Sequence, residues 1–392
     1  MLFSFAMMIL ASVIFAMIMR KVGLPNLLGY LLTGIILGPF VFNVIDTTTF
    51  QISSDIRQIA LMIILMRAGL NLQISDLKKV GSSALLMCFV PASFEILGLM
   101  ILAPIFLHLD LLNAAILGTV LAAVSPAVVV PLMLRLMDEG YGTKEGIPQL
   151  IMAGASMDDV YVIVLFTSLL TLAKSGEFNA LSLLRIPTSI LFGIVSGIVL
   201  GYVLCKLYRL LKLPTGIELA SMFAIGMVLI TIERIMTGMI GFSGLLAIMA
   251  LTATIRHIKP EMADKYSAVL AKLWQPAEIF LFALVGASVR IDYALSFGPV
   301  VLVVIILALV FRMLGVYLSI MKTKFNMKER IFTMGAYLPK ATVQAAIGGL
   351  ALEAGLASGE LILTAAVTAI LFTAPLGAIF ISLTYRNFLQ KV

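Results

Sequence analysis

The sequence predicts an all-α, polytopic membrane protein, and three observations carry that prediction. Hydrophobic residues make up 61% of the 392-residue chain and charged residues 12%, with a mean hydropathy of +1.13, a balance that a soluble domain with a polar surface does not reach. The apolar runs are about 18 to 28 residues long, which suits helices crossing the hydrocarbon core rather than the ten-residue alternating strands of a membrane β-barrel. The basic residues fall in alternate loops. One set holds Arg20 and Lys21; Lys78 and Lys79; Arg135 and Lys144; Lys206, Arg209 and Lys212; and further clusters around Arg256, Lys324 and Arg386. The other set holds only Arg57, Lys174, Arg185, Arg234 and Arg290. By the positive-inside rule the N-terminus is outside and the C-terminus cytoplasmic, as about 13 transmembrane helices require. The net charge of +7 is therefore a topology signal, and no nucleic-acid partner is expected.

Taken in order, the first span (about 2–19) is followed rather than preceded by its basic residues, and reads as retained, not as a signal peptide. Spans two and three cover about 25–42 and 56–72; the second is rich in glycine, which lets helices approach closely. Span four (about 81–107) carries Glu95 in an apolar setting that demands a cation. Span five (about 111–137) contains Ala123-Val124-Ser125-Pro126 and then Pro131. Proline removes a backbone donor, and a helix broken at membrane depth is tolerated only beside protein or a cavity. Span six runs from about 147 to 172, span seven from about 186 to 211, and spans eight and nine follow 213–216. Spans ten (about 266–289) and eleven (about 300–320, with Arg312) lead to a second interrupted helix in span twelve (about 331–354), at Pro339-Lys340-Ala341-Thr342. Span thirteen is about 361–384.

An offset of 217 residues pairs Ser125 with Thr342, Glu95 with Arg312 and Gly69 with Gly286. Six spans in each half with one between them make the halves run oppositely through the membrane, the inverted-repeat plan of secondary transporters. The chain is then a single transporter domain: a first repeat of about 1–173, a linking helix of about 184–211 and a second repeat of about 216–392.

The costliest feature to bury is Gly154-Ala155-Ser156-Met157-Asp158-Asp159-Val160. A carboxylate at the centre of a membrane helix costs roughly 2.5 to 3.5 kcal/mol on insertion scales, and such residues usually serve ion or proton movement. A loop at this place is disfavoured, since no Gly, Pro or charge turns the run from Val160 to Phe166. A purely structural pair is the other alternative. A buried carboxylate with Lys340 or Arg312 nearby can hold a proton or a small cation, and if only the occupied site crosses, the two flows are coupled. Ser125, Thr342 and Ser156, or backbone carbonyls, are candidate oxygen ligands, and the metal expected at Asp159 is Na⁺ or Li⁺. Glu95 and Arg312 are expected to form a buried ion pair, arginine being always charged and forked to suit a carboxylate. Lys340 at the second break either offsets the helix ends there or takes part in binding. Cys88 and Cys205 lie in separate apolar runs, and His108 and His257 at segment ends, so neither a disulfide nor a zinc site is expected. No cofactor is expected.

At Ala122-Ala123-Val124-Ser125-Pro126-Ala127-Val128-Val129-Val130-Pro131, at Met157-Asp158-Asp159 and at Leu338-Pro339-Lys340-Ala341-Thr342-Val343-Gln344-Ala345-Ala346-Ile347-Gly348, the chain resembles the cation:proton antiporter superfamily. The resemblance is closest to sodium/proton antiporters of the NHA class, in the branch with an aspartate pair. It implies the sodium/proton antiporter fold with crossed broken helices, a homodimer in membrane lipid, and a moving core. It implies a role in pH homeostasis, with Asp159 as the main carboxylate for cation and proton and Asp158 supporting it. Several relatives have lysine at the place of Arg312, so their stoichiometry does not carry over. The animal members carry longer N-terminal regions, which points to a prokaryotic plasma or inner membrane.

The expected function is exchange of Na⁺ or Li⁺ for H⁺ by alternating access, not an enzymatic reaction. The alternative is a sodium-coupled symporter of an organic anion on the same plan. An intramembrane aspartyl protease is disfavoured, because its aspartates must converge on one water, whereas adjacent helical residues point about 100° apart.

Overall fold

A computed structural model of the protein describes residues 1–71, 82–175, 185–211, 213–235 and 242–391. Lys78, Lys79 and Lys212, assigned above to basic loops, lie outside the described residues, as does the side chain of Ser156. The described residues are helical apart from their connections and one isolated antiparallel bridge between Tyr141 and Lys391. Among the described residues nine helical spans are long and apolar enough to cross a membrane, two of them, Ser82–Leu107 and Leu111–Asp138, made of two helices end to end; Asn26–Leu37 and Gly244–Ile258 are shorter apolar helices.

In chain order the helices are α1 (Leu2–Lys21), α2 (Asn26–Leu37), α3 (Thr47–Gln51), α4 (Ser53–Asn71), α5 (Ser82–Met87) and α6 (Val90–Leu107). Then come α7 (Leu111–Ala122), α8 (Pro126–Asp138), α9 (Ile147–Ser175), α10 (Arg185–Leu211), α11 (Thr215–Ile235) and α12 (Gly244–Ile258). The last six are α13 (Pro260–Ala287), α14 (Ile291–Ser319), α15 (Met327–Ala336), α16 (Thr342–Ile347), α17 (Leu350–Glu353) and α18 (Gly359–Phe388). They form two compact units, one of Met1–Ser54, Ser75–Ile163 and Ile279–Val392, the other of Asp55–Ile74 and Val164–Glu278.

Local chemistry sets the boundaries. Span two, read as about 25–42, is helical only to Leu37, because Gly38 precedes Pro39 and takes extended backbone, ψ 171°. The Asp110 side chain accepts from Asn113 N at 2.9 Å to start α7, and a capping box between Asn326 and Glu329 starts α15. The span-five interruption is confined to 123–125, with Pro126 as the first residue of α8. Pro131 does not break the chain's path: α8 continues through it to Asp138, losing one backbone bond within a helix otherwise intact. The second interruption, 337–341, separates α15 from α16.

In the first unit α6 and α14 pack through glycines. A Cβ on Gly98 would lie 2.6 Å from Phe311 Cγ, and one on Gly315 would lie 2.8 Å from Pro91 Cα and 3.1 Å from Phe94 Cβ. Lipid tails are as apolar as leucine, so such close backbone approach, rather than exclusion of water, drives membrane helices together. It brings Glu95 and Arg312, each one turn before its glycine, into range of each other. Around the second break, Val129 and Met133 of α8, Ile151 and Ala155 of α9 and Phe332 of α15 form a buried apolar core with Tyr337.

In the second unit α10 lays Gly193, Gly197 and Gly201 on the backbone of the helix α12 region, at Ser243, Ala247 and Leu251 respectively. Its opposite face exposes Leu191, Val195, Ile198 and Tyr202.

Candidate functional site: five buried charges at two helix breaks

A helix that stops inside the membrane leaves carbonyl groups without partners at its C-terminal end, and a partial negative charge with them. The end of α7 has this problem at Leu121, Ala122 and Ala123, and each carbonyl meets a side-chain donor from the second half of the chain. Lys340 Nζ donates to Leu121 O and Arg312 Nη1 to Ala122 O. Gln344 Nε2 donates to Ala123 O at 2.9 Å, and lies 3.4 Å from Leu121 O. The end of α15 is met in the same way, Arg312 Nε donating to Tyr337 O at 2.8 Å. The two breaks touch directly through Ser125 N, which donates to Pro339 O at 2.7 Å.

The two cations serving these carbonyls are themselves neutralised by carboxylates. Arg312 Nη1 lies 2.9 Å from Glu95 Oε2, and its Nη2 lies 2.8 Å from Asp158 Oδ2. Lys340 Nζ is 2.7 Å from Glu95 Oε1 and 2.8 Å from Oε2. Glu95 is therefore shared by both cations, in a network of four residues rather than an isolated pair with Arg312. Asp158 Oδ2 also accepts from Val124 N at 3.0 Å, so it holds the first break as well as the arginine. Tyr337 underlies the arginine, with Arg312 Cζ 5.4 Å from the ring centroid. These side chains are 0–1% exposed.

Asp159 differs from its neighbour. It lies on α9 at 7% exposure, and its Oδ1 is buried with no hydrogen-bond partner among the described residues. The sequence reading placed Lys340 or Arg312 near it; Arg312 is within electrostatic range, while the hydrogen bonds and ion pairs of both cations go to Glu95, Asp158 and the break carbonyls. The physical reason is that half-helix ends and the Glu95 and Asp158 carboxylates use up these donors. Three buried carboxyl groups thus stand with two buried cations, and Asp159 is the one with no ion pair among the described residues.

Of the proposed oxygen donors, Ser125 is 1% exposed and its Oγ has no hydrogen-bond partner among the described residues, and Thr342 is the first residue of α16 at 5% exposure. Gln344, Tyr337 and Thr373 were not singled out by sequence reasoning. Thr373 Oγ1 accepts from Lys340 N at 3.0 Å and so holds the second break from α18. Gln344 had a visible signal, an amide side chain in an otherwise apolar run; Tyr337 and Thr373 had none.

Residues 7–386 match a family described as "Sodium/hydrogen exchanger, transmembrane". Sodium/hydrogen exchanger 9B2 of Homo sapiens is 35% identical over 383 residues, covering 94% of this chain and 70% of that protein. Sodium/hydrogen exchanger 9B1 of Homo sapiens is likewise 35% identical over 383 residues, covering 94% and 73%. The structure of the sodium proton antiporter MjNhaP1 from Methanocaldococcus jannaschii at pH 8 superposes with a TM-score of 0.83, covering 98% of this chain and 97% of that one. At 19% identity this last likeness establishes the fold alone.

Proposed function

The chain belongs to the sodium/hydrogen exchanger family, and from that premise we propose that it exchanges Na⁺ or Li⁺ for H⁺ by alternating access, with Asp159 carrying cation and proton in competition. The observation that carries this reading is the unequal count of buried charges. With Glu95, Asp158 and Asp159 ionised against Arg312 and Lys340, the empty site holds one uncompensated negative charge in a setting where such a charge is expensive. One proton or one monovalent cation on Asp159 neutralises it. Only the occupied site then crosses cheaply, which couples the two flows. Arg312 does not release its proton, and Lys340 and Asp158 are engaged in the break network, so the cycle is one H⁺ for one monovalent cation and electroneutral. Ser125, Thr342 and Ser156 are the side-chain oxygens proposed to complete the cation's shell.

The architecture proposed is 13 helices as two inverted repeats, about 1–173 and 216–392, around a linking helix at about 184–211. Reciprocal contacts support it. Gly98 meets Phe311 and Gly315 meets Phe94, and the offset of 217 residues that separates Glu95 from Arg312 turns each of these contacts into the other. A two-fold relation does this to contacts beside its axis. Gly69 against Thr252 and Gly286 against Ile35 are related by the same offset. We further propose a homodimer in a prokaryotic plasma or inner membrane, N-terminus outside and C-terminus cytoplasmic, serving pH homeostasis.

The organic-anion symporter is disfavoured because both cations at the site are already held by carboxylates, leaving no clamp for an anionic substrate. The test is proton flux in proteoliposomes, read with a pH dye on adding Na⁺, Li⁺ or K⁺. Flux with Na⁺ or Li⁺ is expected; no response to any cation overturns the reading.

A further inference from the structure

We propose that Gln344 determines the cation preference of the exchange by holding the Ala123 carbonyl where it serves as a ligand, an inference that rests on the exchange reading above. Three carbonyls end α7, and their donors are not equivalent. Leu121 O and Ala122 O receive Lys340 Nζ and Arg312 Nη1, each a full positive charge that repels a second cation. Ala123 O receives its 2.9 Å bond from the neutral amide of Gln344. One N–H occupies one lone pair of a carbonyl and leaves the other, with its partial charge, available.

The residues at and bonded to this break carry further oxygens of the kind a hard cation takes. Val124 N binds Asp158 Oδ2 at 3.0 Å, the carboxylate next in sequence to Asp159. Ser125 Oγ, Asp158 Oδ1, Asp159 Oδ1 and Gln344 Oε1 are buried oxygens without hydrogen-bond partners among the described residues. The orientation of the amide is fixed, since turning it over would set Oε1 against the oxygens of Ala123 and Leu121. Residues 123, 124 and 125 are thus gripped in turn by Gln344, Asp158 and Pro339. Gln344 is the grip whose removal frees a carbonyl without leaving a buried charge unpaired. Li⁺ is smaller than Na⁺, so an oxygen free to move changes the fit for the two ions unequally.

The experiment uses the full chain in proteoliposomes and measures KM and Vmax for Na⁺ and for Li⁺. Gln344→Met has nearly the same length but no donor, and Gln344→Asn keeps the amide but is one methylene too short to reach. Both are expected to raise KM for Na⁺ about fivefold, the worth of one hydrogen bond, and to shift the Li⁺-to-Na⁺ ratio of KM values, with Vmax within about twofold. KM and its ratio do not depend on how much protein folds, so a poorly folding variant still reports. A lower Vmax at unchanged KM and ratio assigns Gln344 a merely structural part and overturns the proposal, as does no change at all. Absence of cation-driven flux in the unsubstituted protein overturns the exchange reading and this inference together. Normal flux there with unmoved KM and ratio in both variants overturns this inference alone.

Discussion

The two units of the molecule solve the burial of polar groups in opposite ways. In the second, the paired helices α10 and α12 run without interruption, satisfy their own backbones, and pack with Gly193, Gly197 and Gly201 against the residues from Ser243 to Leu251. One of its buried charged residues, Glu218, accepts from Tyr266 Oη at 2.7 Å, a neutral phenol, and Arg57 is buried in the same unit. In the first, two helices are broken at 123–125 and 337–341, and the freed carbonyls draw in Arg312, Lys340 and Gln344. The cations then need Glu95 and Asp158. A broken helix at membrane depth is thus the origin of the charge cluster, and a cluster built to serve helix ends has no need of a fifth charge. Asp159 stands outside those ion pairs.

The contrast is broken first by removing one partner of the network. Glu95→Gln or Arg312→Ala alone should each destabilise the protein by about 3 to 5 kcal/mol, because a buried charge is left unpaired. The double substitution should cost less than the two single ones added together. Melting in detergent measures it, and additive losses would mean that the 2.9 Å pair is not energetically coupled.

The second unit should respond differently. Gly197→Val places a branched side chain against Ala247 O of α12, and overpacking of this kind costs about 1 to 3 kcal/mol. The expected result is a lower melting temperature with KM for Na⁺ unchanged. A changed KM would show that α10 and α12 shape the ion site and would end the division of roles.

Most of this contrast was legible in the sequence, and the part that was not has a definite cause. Ser125-Pro126 and Pro339-Lys340 marked the breaks, because proline and the residues before it interrupt a helix by local sterics. Apolar runs with single charges marked Glu95, Arg312 and the aspartates. The separate parts of Asp158 and Asp159 came only from the resemblance, and the residues themselves did not show which of the two turns to Arg312. Adjacent helical residues point about 100° apart, so one of Asp158 and Asp159 turns to Arg312 and the other away, and the choice depends on the rotation of α9. The close fit of Gly154 to Tyr337 Oη fixes that rotation, through a contact between residues far apart in the chain. Lys340 reaching Glu95 and Gln344 reaching Ala123 are long-range contacts of the same kind. Pro131 misled because the second proline of the segment sits inside an already formed helix.

The smallest expected effect is none. If one proton exchanges for one monovalent cation, Na⁺-driven proton flux at zero initial potential is unchanged when valinomycin and K⁺ clamp the voltage. Acceleration under the clamp would reveal net charge movement, a second proton per cycle, and a working role for Asp158 or Lys340.

The central claim is that Asp159 alone carries the cargo while its four charged neighbours hold the breaks. Asp159→Asn tests it most directly, since the amide matches the carboxylate in volume but binds neither a proton nor a cation's charge. Na⁺-driven proton flux in proteoliposomes should fall to background while the variant remains folded, with a melting temperature no lower than that of the unsubstituted protein. Flux above a trace in Asp159→Asn would contradict the account and move the carrier role to Asp158.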